Sequence, residues 1–485
     1  KPIAELQVEA DRGILRRSLG PLHLTALGIG SIIGTGIFVL TGTAASMHAG
    51  PALPLSMIIA GIACAFAGLC YAELAAMIPV AGSAYTYAYA TLGEVVAWII
   101  GWDLVLEYAL SGSTVAVGWS GYFVSLLRDF GITIPPSLTA APGTSLVVGG
   151  ETVAGIFNLP AAMIVLVVAG LLTLGIRESA RTNTLLVVIK TGVLIVFVVA
   201  GAAFLRRDNL VPFIPPNEGE FGAFGWSGVL RGAAIIFFAY IGFDAVSTAA
   251  QEARKPQRDL PIGILASLLI CTVIYIAVAV VLIGIVPYAE LDVPDPLAVG
   301  IDRTGLTWLS PVIKVSALFG LFSTMLVQLL GQSRIFFAMS RDRLLPDVFG
   351  RVHPRFRTPH PSTMLIGIVV SLGAGLLPLN LLGQLVSMGT LLAFVLVCVG
   401  IIVLRRTAPE LPRPFRTPGY PWVPIAGAVA CLLQMAVLPL ETWIRLAVWL
   451  VVGGVIYMLY GRRRTAALTA RTSPQAARAV GDAAG

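Results

Sequence analysis

Apolar runs of about twenty residues, the length needed to cross a bilayer, recur along almost the whole chain. Short polar or turn-rich stretches separate them. Twelve such runs are predicted, at 22–46, 53–78, 94–127, 161–177, 182–204, 226–252, 261–286, 308–339, 361–379, 381–404, 422–439 and 441–460. All are read as helices, because a lipid-exposed helix satisfies its own backbone. The third and eighth runs exceed the bilayer thickness, which predicts tilt. The segment 79–93, PVAGSAYTYAYATLG, is too polar to cross, and its alternating Tyr85, Tyr87 and Tyr89 predict an interfacial element.

Two runs are irregular. The first contains GIGSIIGTGIFVLTG at 28–42, with five glycines in fifteen residues. Glycine weakens a helix interior by roughly 1 kcal/mol relative to alanine. The stretch is therefore either a close-packed helix surface or a place where the backbone opens. The sixth run, AAIIFFAYIGFDAVS at 233–247, repeats the pattern of an apolar stretch, a glycine and small polar residues. Irregular runs in first and sixth position are expected of two five-helix units. An odd number of crossings inverts the second unit, and paired breaks at matching positions are the best sequence pointer to a transporter's binding site.

Composition agrees with a membrane location and orients the chain. The 485 residues are 57% hydrophobic and only 12% charged, half the charge of an average soluble domain. The connections after odd-numbered runs carry about six arginines, whereas the opposite connections with both tails carry about 23 Lys and Arg, which places both termini in the cytoplasm. The loop 290–302, with four acids, then lies outside. The net charge of +7 follows from this topology and requires no nucleic-acid partner. No cleavable signal peptide is expected, since the basic segment 12–17 leads into a run too long to be one. Cys64, Cys70, Cys271, Cys398 and Cys431 all fall within the runs and read as packing residues. His23, His48, His353 and His360 fall near run ends or in loops; no metal-ligand or nucleophile spacing appears, so neither a catalytic nor a metal site is assigned.

Four segments together, GIGSIIGTGIF (28–38), FFAYIGFDAVST (237–248), QEARKPQRDLP (251–261) and QSRIFFAMSRDRLLP (332–346), resemble the amino acid–polyamine–organocation superfamily. The resemblance is strongest to its cationic amino acid transporter branch and bacterial relatives, and covers about residues 12–460. It implies an all-α polytopic protein with a LeuT-like fold. A cytoplasmic tail (1–21) would precede a first five-helix repeat (22–204, broken near 31–36). An inverted second repeat (226–404, broken near 238–242), two added helices (422–460) and a second cytoplasmic tail (461–485) would follow.

Roles follow for particular residues. A break at 31–36 frees the amides of Gly34, Thr35 and Gly36 at the start of a half-helix, which suits a carboxylate. Freed carbonyls at Ile32, Phe238, Ala239 and Ile241 suit an ammonium group. The resemblance places substrate at these positions and makes Phe238 an aromatic gate. Of the ionisable groups inside the runs (Glu73, Asp103, Glu107, Lys190, Asp244 and Lys314), each is costly there and so a functional candidate. Glu107 lies roughly 20 Å along the third run, the depth at which a substrate rests, and is assigned to a cationic side chain. Lys190, roughly 12 Å into the fifth run, is assigned to proton coupling, since relatives place a lysine where sodium-coupled members hold their ion. Glu252, Arg254, Lys255 and Arg258 read as an inner-gate ion-pair network, Asp103 as structural or vestibular, and Glu73 and Lys314 as structural.

The expected function is secondary transport across the cell membrane into the cell of α-amino acids, preferably arginine-, lysine- or ornithine-like, by proton symport; no ATP-binding motif is present, so a gradient must drive it. Amino acid exchange or a neutral amino acid permease is the alternative, and a channel or membrane enzyme fits the paired breaks poorly. Partners are then the substrate, protons and lipid, with no cofactor; a small accessory subunit is left open.

Overall fold

The computed structural model describes residues 19–78, 83–148, 151–175, 180–342, 344–354, 356 and 358–461. Residues 1–18 and 462–485 of the two tails, and residues 79–82, lie outside these. A helix or a pair of helices occupies each of the predicted runs. In chain order they are α1 (Pro21–Ile32), α2 (Leu53–Met77), α3 (Ser83–Thr91), α4 (Glu94–Asp129), α5 (Leu159–Thr173) and α6 (Ala180–Gly201). They continue as α7 (Gly225–Ile236), α8 (Pro256–Ile285), α9 (Leu309–Arg341), α10 (His360–Leu376), α11 (Leu379–Thr407), α12 (Trp422–Ala436) and α13 (Leu440–Ile456). Eight helical stretches among the described residues are long and apolar enough to cross a membrane, and α1, α5, α10 and α12 are shorter apolar helices.

The polar segment before α4 forms α3, whose tyrosines tie it down. Tyr85 donates to Asp342 Oδ2 at 2.8 Å beyond α9, and Tyr87 packs edge-on against Tyr71, with ring centroids 5.9 Å apart. Two elements are absent from the sequence reading: within the loop after α4, Ser145–Val148 and Glu151–Ala154 pair as an antiparallel hairpin, and a short helix, Pro296–Asp302, stands in the loop after α8.

The packing pairs distant helices. α2 lies along α8, α4 along α9, and α5 along α10, while α11 packs on α4 and α12. These three pairs join the second, third and fourth helices counted from each irregular run. At the centre the two irregular runs meet each other. Two buried charges outside this centre, Glu73 and Lys314, are held by ion pairs. Glu73 on α2 receives both Arg405 Nη2 at 2.6 Å and the Thr417 amide at 2.7 Å, with Arg413 Nε at 3.5 Å. Lys314 on α9 donates to Asp129 at 2.7 Å. Both therefore act structurally.

Candidate binding site at two helix breaks

Each irregular run unwinds. α1 stops at Ile32, and Ile33 is extended (φ −71°, ψ 99°) before the chain re-enters helical geometry at Thr35 and a π-helical turn over Gly36–Leu40. After α7, Phe237–Tyr240 tightens into a 3₁₀ turn, Ile241 is extended, and Gly242 takes φ +122°, which L side chains rarely adopt. A short helical turn, Ala245–Thr248, follows.

The breaks touch through glycine. A β-carbon built on Gly36 would lie 2.2 Å from Ala239 Cα, and one on Gly242 would lie 2.6 Å from the Ser31 carbonyl carbon. Both sequence alternatives for the glycine stretch therefore apply at once: it opens the backbone, and it allows backbone-to-backbone contact between the breaks.

Carbonyls released from α1 are met by three other helices. The fully buried Lys190 of α6 donates through Nζ to the carbonyls of Gly30 and, at 2.9 Å, Ile33. Tyr275 of α8 donates to the Ile32 carbonyl at 2.8 Å, and Thr324 of α9 to that of Ile33 at 3.3 Å. An amine reaching Ile32, as the sequence suggests, would share an oxygen already bonded to Tyr275. In the second break the Phe238 carbonyl accepts from the Ile241 amide at 3.2 Å. Sequence reasoning missed Tyr275 and Thr324, because a lone hydroxyl in an apolar run has no spacing that marks it.

Between the breaks lies a void of about 10 Å³, bounded by Gly34, Thr35, Gly36, Phe238 and Ile241, with Ser111 and Val115 of α4 on another side. That is room for about one water. The Thr35 hydroxyl is fully buried here and has no hydrogen-bond partner. Phe238 faces this void, whereas its neighbour Phe237 packs on Phe394 at 5.6 Å, which separates the two phenylalanines by role.

A larger cavity of about 320 Å³ adjoins the void and extends to Leu19 and the exposed His23. Glu107, buried, stands on its wall with Oε2 unpartnered. Asp244, Thr248, Glu252 and Arg334 also line it. Asp103, one turn from Glu107, is buried against Gly389 and does not line this cavity. Of the suggested inner ion-pair group, Glu252 and Arg254 bond through their backbones to Leu19, at 2.9 Å each, and Asp259 accepts from the Lys255 amide at 3.1 Å.

On the opposite side the site is covered. A β-carbon on Gly42 would lie 2.2 Å from the Leu291 carbonyl oxygen, and one on Gly121 would lie 2.3 Å from Pro294 Cβ. Tyr122 closes the gap by donating to the Phe38 carbonyl at 2.7 Å. In the covering loop, burial raises the Asp295 carboxyl above the usual carboxylate range, a shift that a hydrogen bond from Ser125 and the nearby Lys314 and Arg128 partly offset. Among the described residues no group of three His, Cys, Asp or Glu side chains is placed to hold a metal ion.

Long apolar helices surrounding two facing backbone breaks, with a cavity leading away from them, define a multi-pass membrane transport protein rather than an enzyme. The chain belongs to the amino acid permease family, whose model matches residues 19–460, within the amino acid–polyamine–organocation superfamily. It is 46% identical over 465 residues to the methylthioribose transporter of Bacillus subtilis, covering 96% of this chain and 98% of that protein. It is 48% identical over 452 residues to the branched-chain amino acid permease BcaP of the same organism, covering 93% and 94%. Identity to the vacuolar cationic amino acid transporter 4 of Arabidopsis thaliana is 39% over 398 residues, covering 82% of this chain and 64% of that one.

Proposed function

We propose that this protein imports α-amino acids by alternating access, with the substrate's carboxylate and amine held by the two breaks. The observation that carries this reading is the Thr35 hydroxyl, fully buried and unpartnered beside the void where both breaks converge. A buried polar group without a partner is costly, and a bound carboxylate would supply one. Gly34, Thr35 and Gly36 then serve the carboxylate, and Phe238, Ala239, Ile241 and the remaining lone pair of Ile32 serve the amine. Phe238 acts as the gate.

The overall arrangement fits twelve membrane crossings in a LeuT-like fold, with repeats at 22–204 and 226–404 and both termini cytoplasmic. The pairing of α2 with α8, α4 with α9 and α5 with α10 supports the repeats, since each pair occupies matching positions. In this orientation the cavity opens to the cytoplasm and the protein faces inward in the cell membrane.

For the side chain, Glu107 favours a cationic substrate such as arginine, lysine or ornithine, because its unpartnered Oε2 would gain a charge-assisted bond. Lys190, bonded to two break carbonyls, is the proposed proton-coupling group. A second reading, a permease for neutral branched-chain amino acids, is favoured by the apolar Val115, Phe238 and Ile241 around the void and by the identity to BcaP. Uptake by the purified protein in liposomes separates these, with labelled arginine and leucine under imposed proton or sodium gradients. Methylthioribose serves as a competitor. Uptake of neither amino acid, with labelled methylthioribose taken up in their place, would reject the proposal.

A further inference from the structure

The small void and the large cavity adjoin. Ser31, Ile241 and Gln328 line both. Val115 and Ser111 line the void and Glu107 lines the cavity, at four-residue intervals along one face of α4. A substrate whose α-carbon groups sit at the breaks and whose side chain follows this face is therefore directed at Glu107 and the cavity it lines. The cavity's volume of about 320 Å³ is within the range of small-molecule sites, about 300–1,000 Å³. The opposite route is covered by the loop seated on Gly42 and Gly121.

We propose that this inner cavity is a subsite for the far end of amino acids whose side chains extend beyond that of lysine, and that it is reached only from the Leu19 face. The inference rests on the amino acid reading of the breaks. The acids Glu107, Asp244 and Glu252 on the cavity wall outnumber Arg334 and the exposed His23, which favours a cationic terminal group. An extended side chain occupies space that must collapse when the inner half of the protein closes. Such a molecule binds but is not carried, and acts as an inhibitor with a sidedness: effective from the face bearing Leu19, ineffective from the other.

The test uses two isomers of one composition, Nε-glycyl-lysine, whose α-amino and carboxylate groups are free, and Nα-glycyl-lysine, whose α-amine is blocked. Each competes with labelled arginine and labelled leucine in liposomes of sorted orientation, applied from one face at a time. Nε-glycyl-lysine is expected to compete from the Leu19 face at least about tenfold better than from the opposite face. It is not expected to accumulate when labelled, and Nα-glycyl-lysine is expected to compete from neither face. Val327→Trp, which fills part of the cavity, is expected to weaken Nε-glycyl-lysine by about tenfold more than it weakens lysine. If lysine or leucine competes normally but Nε-glycyl-lysine does not, or competes equally from both faces, the subsite is wrong while the amino acid reading stands. If neither arginine nor leucine binds, the amino acid reading fails and takes the subsite with it.

Discussion

Lys190 Nζ lies 2.9 Å from the carbonyl oxygen of Ile33, a residue 157 positions earlier in the chain. A side chain of α6 thereby completes the broken backbone of the first run, with Thr324 on the same Ile33 carbonyl and Tyr275 on the neighbouring Ile32 carbonyl. Tyrosine and threonine hydroxyls keep their protons at physiological pH, so the proposed proton coupling turns on Lys190, the amine among these three donors.

The first prediction concerns that difference. Lys190→Ala is expected to leave substrate binding or exchange measurable while removing the response of uptake to an imposed pH gradient. Replacing sodium is expected to change neither protein. Accumulation against a gradient by the Lys190→Ala protein in acidified medium would exclude this mechanism.

Glu107→Gln is expected to weaken arginine and lysine by about 2–4 kcal/mol, the loss of a charge-assisted bond to a buried cation. Leucine and alanine should be nearly unaffected. Binding titrations with all four substrates check it, and an equal loss across them would make Glu107 structural.

At the contact of the breaks, Gly36→Ala is expected to abolish binding of every substrate, because the new β-carbon meets Ala239 Cα at 2.2 Å. Ala239→Gly should not rescue it, since the obstacle is backbone. Gly170→Ala on α5, where nothing lies within 4 Å, is the control and should bind normally. Substrate affinity and size-exclusion profiles of the three variants report the result; full rescue by Ala239→Gly would contradict it.

A pH-dependent effect is expected in the covering loop. Burial raises the Asp295 carboxyl, so the folded state is disfavoured once pH climbs through that raised value and the charge must be buried. Asp295→Asn removes the titration. It should raise the thermal unfolding temperature at neutral pH, with the difference shrinking as pH falls below about 4, where the wild-type carboxyl becomes protonated in both states. A difference that instead grows on acidification would show that Lys314 and Arg128 dominate at Asp295.

Much of the site was legible because its cause is local. The glycine spacing at 28–42 and the Ile241-Gly242 pair mark where a helix cannot continue cheaply, and the breaks fall there. The depth of Glu107 and Lys190 follows from counting along an apolar run. The hairpin at 145–154 was not legible, since four-residue strands in a polar loop carry too few alternating positions to register.

By itself, the sequence determined the helical class, the positions of the helices and the two places where the backbone opens, because hydrophobic length and glycine chemistry act within a few residues of where they are written. Partner choice was decided only by the tertiary structure. That Tyr275 meets Ile32, that Gly36 meets Ala239, and that Glu73 meets Arg405 depends on which helix faces bring residues from distant parts of the chain together. The same packing covers one end of the candidate site with the Leu291–Pro294 loop and leaves a cavity at the other, an asymmetry that no local pattern encodes.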